Sequence, residues 1–184
     1  DVFVITHSTY KRDGRIEFIP PPSGRRGGGD EGPERYTQFF RIPAVGLEEG
    51  AEAEQLTFDE ANKRLEGYSP DGRRIIYTVD LTPEPEEGEE GEEEEAEEED
   101  EEPETRFGIY LMPADGGEGR LVYTEETFVR GIVMSPNGRR LAYTVRPDRD
   151  SDSFLRVISS DGQIVADIGT DWNYGMGGIT FSAD

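Results

Sequence analysis

The chain has 184 residues, 42 acidic side chains against 19 basic ones, a formal net charge of −23 and only 33% hydrophobic residues. That balance argues against nucleic-acid binding through a basic face, and no apolar run approaches the ~20 residues that a membrane-spanning helix requires. With no cysteine in the sequence, disulfides, cysteine-ligated zinc and cysteine nucleophiles are excluded.

The chain opens inside a strand-like run, Val2-Phe3-Val4-Ile5-Thr6, with no initiator Met and no signal peptide, so its true start is expected elsewhere. Tyr10 to Arg35 then read as a long insert, stiff at Pro20-Pro21-Pro22 and flexible at Gly27-Gly28-Gly29. These glycines make no phosphate loop, since neither Gly-Lys-Ser nor Gly-Lys-Thr follows them. Next come strands at Phe39 to Ala44 and Gln55 to Thr57, and Phe58 to Leu65 is the one helix-compatible stretch, a single short turn.

Ser69-Pro70-Asp71-Gly72 is the first clear landmark. Pro at the second position presets φ, Asp at the third bonds its own backbone, and Gly at the fourth accepts the left-handed conformation that returns the chain. Leu65 to Tyr68 before it and Arg73 to Thr78 after it then form a hairpin. Residues 84 to 104 hold sixteen acids and no base, which leaves the rest of the chain at about −7. From Glu86 to Glu104 nine acid pairs stand four apart and oppose a helix by roughly 2 to 4 kcal/mol. A mobile acidic loop is the expectation, acting as a tether or as an attractor of basic partners, Arg25 and Arg26 included.

Strands at Ile109 to Ala114 and Leu121 to Thr124 complete this unit, and then the pattern returns. Gly131 to Met134, Ser135-Pro136-Asn137-Gly138, Arg139 to Thr144, Phe154 to Ser159 and Ile164 to Ile168 repeat it, and Gly178 to Phe181 with Ser182-Ala183-Asp184 begin a third copy. Ser69 lies 66 residues before Ser135 and Ser135 lies 47 before Ser182, while Thr57, Thr124 and Thr170 are 67 and 46 apart. The excess of about twenty sits between the second and third strands, Thr78 to Ile109. Without it the period is 46 to 47, the length of one four-stranded propeller blade. Ile75, Ile76, Tyr77 and Val79 put apolar groups on both sides of a strand, as expected when sheets pack face to face.

Ser69 to Arg74 followed by Ile75 to Thr78, then Ile109 to Gly117 and the closing Leu121 to Thr124, resemble the TolB-like, WD-related β-propeller repeat over about three-quarters of the chain. The resemblance implies an all-β fold: a partial β-propeller of four-stranded antiparallel blades with two long inserts, 10–35 and 81–105, on one face. Residues 1–58 would supply the outer strands of one blade, 59–124 and 125–170 two complete blades, and 171–184 the inner strand of another. Two complete blades close no ring, since propellers need roughly 4 to 8. The chain is thus expected to be part of a larger protein, its remaining blades being partners.

Two functions fit the resemblance. One is a non-catalytic scaffold that binds a protein or peptide; the other is the accessory propeller of a prolyl-oligopeptidase-like or tricorn-like serine peptidase whose catalytic domain lies outside this chain. The first implies an exported, periplasmic bacterial protein, the second equally a cytoplasmic one. Loops on a rigid scaffold carry function, so the inter-blade links supply the binding candidates: Asp59, Glu60, Glu125, Glu126, Phe128, Asp171, Trp172 and Tyr174. Trp172 and Tyr174 have packing between blades as their alternative, and the acids have plain solvation. The turn residues Ser69, Pro70, Asp71, Gly72, Ser135, Pro136, Asn137 and Gly138 are structural. Neither a Gly-x-Ser-x-Gly elbow nor a calcium loop is present, His7 is the one histidine, and no catalytic residue, metal or cofactor is assigned.

Overall fold

The two Ser-Pro turns close in the same way. In the computed structural model, which describes residues 2–12, 15–17, 35–43, 53–83, 105–148, 151–169 and 178–182, the Gly72 N–H donates to the Ser69 carbonyl and the Gly138 N–H to that of Ser135, each at 2.8 Å. Ser69 Oγ donates to Asp71 and accepts from the Arg74 N–H; Ser135 Oγ does the same with Asn137 and Arg140. Gly72 and Gly138 have φ of 69° and 70°, the left-handed region that a side chain resists.

Each turn joins two strands of an antiparallel sheet, and the described residues contain three such sheets and no helix. The first comprises β1 (Val2–Arg12), β2 (Arg15–Glu17), β3 (Arg35–Pro43) and β4 (Glu54–Gln55), in the order β2-β1-β3-β4. The second runs β5 (Lys63–Tyr68), β6 (Arg74–Asp80), β7 (Phe107–Pro113) and β8 (Arg120–Glu125) in sequence order. The third repeats that meander with β9 (Phe128–Met134), β10 (Arg140–Arg146), β11 (Phe154–Ser159) and β12 (Ile164–Ile168).

Several boundaries differ from the sequence reading. The segment assigned to the first insert begins as strand, because β1 pairs with β3 as far as Tyr10 opposite Arg35, and β2 then folds back on the end of β1. Thr9, Tyr36 and Thr37 are β-branched or aromatic and sustain the ladder. Phe128 opens β9 instead of lying in a link. Gly178 to Phe181 form no strand, since no described segment pairs with them. The bulk of both inserts, the Glu run and the Pro-Gly segment among them, lies outside the described residues.

Strand alternation explains the apolar groups on both sides of β6. Ile75, Tyr77 and Val79 point into a core shared with Val4, Phe39 and Leu56 of the first sheet. Ile76, together with Ile109 and Leu111 of β7, points the other way, against Val129, Leu141 and Tyr143 of the third sheet. The middle sheet is therefore covered on both faces, and each fully buried side chain of this size contributes on the order of 1.5 to 3 kcal/mol. Leu141, Tyr143 and Val145 of β10 face the second sheet as Ile75, Tyr77 and Val79 of β6 face the first. By register against Pro43 and Pro113, Phe3 and Ile5 occupy the positions of Ile75 and Tyr77. They are 58% and 39% exposed.

Candidate functional site at the link end of the sheets

Among the described residues, the two links between sheets lie at the same end as the ends of the second strands and the starts of the third. Thr127, in the link between β8 and β9, donates its hydroxyl to the carbonyls of Arg146 and Pro147, where β10 leaves toward β11. In the link between β4 and β5, Asn62 Oδ1 accepts from the Thr37 N–H at 3.2 Å, and the Asp59 carbonyl accepts from the Gln38 side chain. Thr37 and Gln38 belong to the start of β3, where the first insert returns. Two cavities open beside these links.

The first cavity, about 550 Å³, lies between the first and second sheets and is lined by Phe58, Asp59, Lys63, Tyr77, Leu81 and Tyr110 among others. Lys63 opens β5 with its side chain only 1% exposed, and it donates to Asp59 and to the Ala61 carbonyl. Burial holds its ammonium below the usual lysine range, and the Asp59 carboxylate partly counters that shift. Asp59 itself is 61% exposed, so the pair has one dry and one wet partner. Beneath it Tyr77 stacks on Tyr110 at 5.2 Å and meets Phe39 edge-on at 5.3 Å. Burial raises both tyrosine hydroxyls above their ordinary range, and Asp59 adds to the rise.

The second cavity, about 560 Å³, runs along β9 and includes Phe128, Arg130, Thr144, Arg146 and Ser153 in its lining. Phe128 is 37% exposed. Its ring lies edge-on to Phe107 at 5.3 Å, with the guanidinium of Arg130 at 4.8 Å and that of Arg64 at 5.4 Å from its centroid. Arg64 donates to the Val129 carbonyl and to Glu66, both at 2.6 Å, which ties β5 to β9 across the junction. Arg64 faces Thr78 in the ladder as Arg130 faces Thr144, so the two arginines hold the same place in successive repeats.

The sequence-derived candidates thus separate. Asp59 and Phe128 each line a cavity, Glu60 and Glu126 are exposed, and Asp171, Trp172 and Tyr174 lie outside the described residues. Glu125 is buried: its carboxylate accepts from Arg156 at 2.9 and 3.0 Å and from the Tyr143 hydroxyl at 3.0 Å, which points it into the sheet junction and away from any ligand. Arg156 also grips Asp167 through two bonds of 2.7 and 2.8 Å, and these bonds hold the Asp167 carboxyl below its usual range. The turn residues hold their hairpins at the far end. His7 is half-buried, with its Nδ1–H donating to the Ser8 carbonyl at 2.7 Å.

Sequence reading passed over Arg64, Arg130 and Arg156, and took Lys63 only as the last residue of a link. A signal for Lys63 was present: Asp59 stands four residues before it, as Glu125 stands four before Val129. Aligning the copies at the strand starts would have marked a lysine at an otherwise apolar position. Among the described residues no group of three or more His, Cys, Asp or Glu is placed to hold a metal, and no helix is long and apolar enough to cross a membrane. No known protein-family model matches the chain, and no curated protein matches it.

Proposed function

We propose that the chain is a segment of a β-propeller, each sheet one blade, that serves as a non-catalytic scaffold for a protein or peptide ligand bound at the link end. The blade reading is supported by the identical turn chemistry at Ser69 and Ser135, and by the same three positions of β6 and β10 covering the preceding sheet. It is supported too by the contact between the first strands β5 and β9, as blades arrayed about an axis require. In this reading the exposed Phe3 and Ile5 are the face on which a further blade of the parent protein packs.

The binding reading rests on one observation: two open cavities of about 550 and 560 Å³, each with an exposed aromatic at its rim, lie beside the links. Concave surfaces with an aromatic anchor and a few directed polar groups are the usual form of a peptide site. A displayed random-peptide library selected on the parent chain should yield sequences that Phe58→Ala or Phe128→Ala loses. Failure to enrich any peptide, or enrichment of the same peptides by parent and both variants, would remove the proposal.

A further inference from the structure

We infer that the cavity along β9 takes an acidic peptide, with a carboxylate on Arg130 and an apolar side chain on the Phe128 ring. This deepens the scaffold reading and rests on it. The chain carries more than two acids for every base, yet this cavity reverses the ratio: Glu66 is the one acid among its described lining residues, against Arg130 and Arg146. Glu66 is also engaged. Its side chain is 7% exposed, it accepts from Arg64 at 2.6 Å, and its second oxygen accepts weakly from the Ile132 N–H at 3.4 Å. The field of Glu66 is thus met by Arg64, and Arg130, itself exposed, stands over the Phe128 ring.

Geometry favours a carboxylate over a cation. A guanidinium presents planar, paired donors that match a carboxylate, and stacking on Phe128 removes rotamer freedom before the ligand arrives. Thr144 and Ser153 line the same cavity, and a hydroxyl side chain can donate as well as accept. Phe128 offers the apolar ledge, supported from below by Phe107. The repeat itself delivers this arrangement, since it sets an arginine on each of two adjoining first strands.

The test is fluorescence anisotropy with two labelled ten-residue peptides, one alternating Glu and Leu, the other Lys and Leu. Both are titrated with the chain as it stands and with a version whose residues 84–104 are replaced by Gly and Ser, so that its own carboxylates do not compete. The acidic probe should bind in at least one version, weaken with added salt, and lose about tenfold in affinity with Arg130→Ala. Arg130→Lys should recover part of that loss, and Arg139→Ala, an exposed arginine in a turn at the far end, should change nothing. Absence of acidic-probe binding in both versions, equal binding of the lysine probe, or an unchanged affinity in Arg130→Ala overturns the inference. If library peptides or the lysine probe bind at the link end while the acidic probe fails, the scaffold reading stands and only this inference falls; if no peptide binds, both fall.

Discussion

At the junction between the second and third sheets, Tyr143, Glu125, Arg156 and Asp167 form a continuous run of hydrogen bonds. The equivalent positions of the first junction hold Tyr77, Asp59, Tyr110 and Leu121, by register along the paired strands. The cation that Arg156 supplies from the third strand of one sheet comes in the other from Lys63, at the place where Val129 stands. One scaffold position set therefore supports two outcomes. In one the acid is buried and held by an arginine that also grips Asp167; in the other the lysine is buried, its acid stays in water, and a cavity opens directly beside the pair. Satisfied polar networks rigidify a junction, whereas a pair with one partner in water is screened and holds its site less tightly.

The contrast predicts unequal responses to matched substitutions. Arg156→Met strands the buried Glu125 carboxylate without its cation and should cost about 3 to 5 kcal/mol in denaturant unfolding. A loss under about 1 kcal/mol would mean that the network is no more than a surface pair and would abolish the distinction. Tyr143→Phe removes a hydroxyl that donates to a charged acceptor and should cost about 1.5 to 3 kcal/mol. Tyr77→Phe, whose hydroxyl has no such acceptor among the described residues, should fall within about 0.5 kcal/mol of the parent; equal losses from the two would erase the asymmetry between the junctions.

Lys63→Met converts the open junction toward the Val129 arrangement and should raise stability by about 1 kcal/mol, since a buried charge is replaced by an apolar stem. The sign with pH follows from linkage. Burial lowers the folded-state pKa of Lys63, so the unfolded chain binds the proton more tightly and stability rises as pH climbs from that lowered value into the ordinary lysine range. The Met variant should lack this alkaline gain in unfolding curves recorded across pH; a variant that keeps it would assign the gain to another group.

The smallest effect belongs to the turns. Asp71 is held below the usual carboxylate range by the Ser69 hydroxyl and the Arg73 N–H. Its contribution is present above that range and fades as pH falls through the lowered value. Asn137 performs the same bonding without titrating. Asp71→Asn should leave neutral-pH stability nearly unchanged and make the acid limb of the stability profile shallower; an unaltered limb would show that the turn carboxylate has no part in acid unfolding.

Much of the architecture was legible because turn chemistry is local. Ser69 to Gly72 and Ser135 to Gly138 hold, within four residues, the phi preset, the side-chain acceptor and the left-handed glycine that a hairpin needs, so strands β5, β6, β9 and β10 follow from the sequence. The ends of β1 and β3 were misjudged because a ladder is extended by its partner, and no local signal reports that Tyr10 meets Arg35. The candidate site was harder to read. Asp59 and Glu125 look alike as acids in short links, yet one lines a cavity and the other is buried.

Taken alone, then, the amino-acid order determined the repeat, the hairpin turns, the strand-rich class and the doubled apolar faces of β6, all of which arise from neighbours in sequence. Tertiary structure decided which acids are buried, where lysine replaces arginine as the counter-charge, and that Arg64 and Arg130 meet over one phenylalanine. Those outcomes depend on residues tens of positions apart arriving at the same junction. The desolvation that distinguishes Glu125 from Asp59 exists only once two sheets have packed against each other.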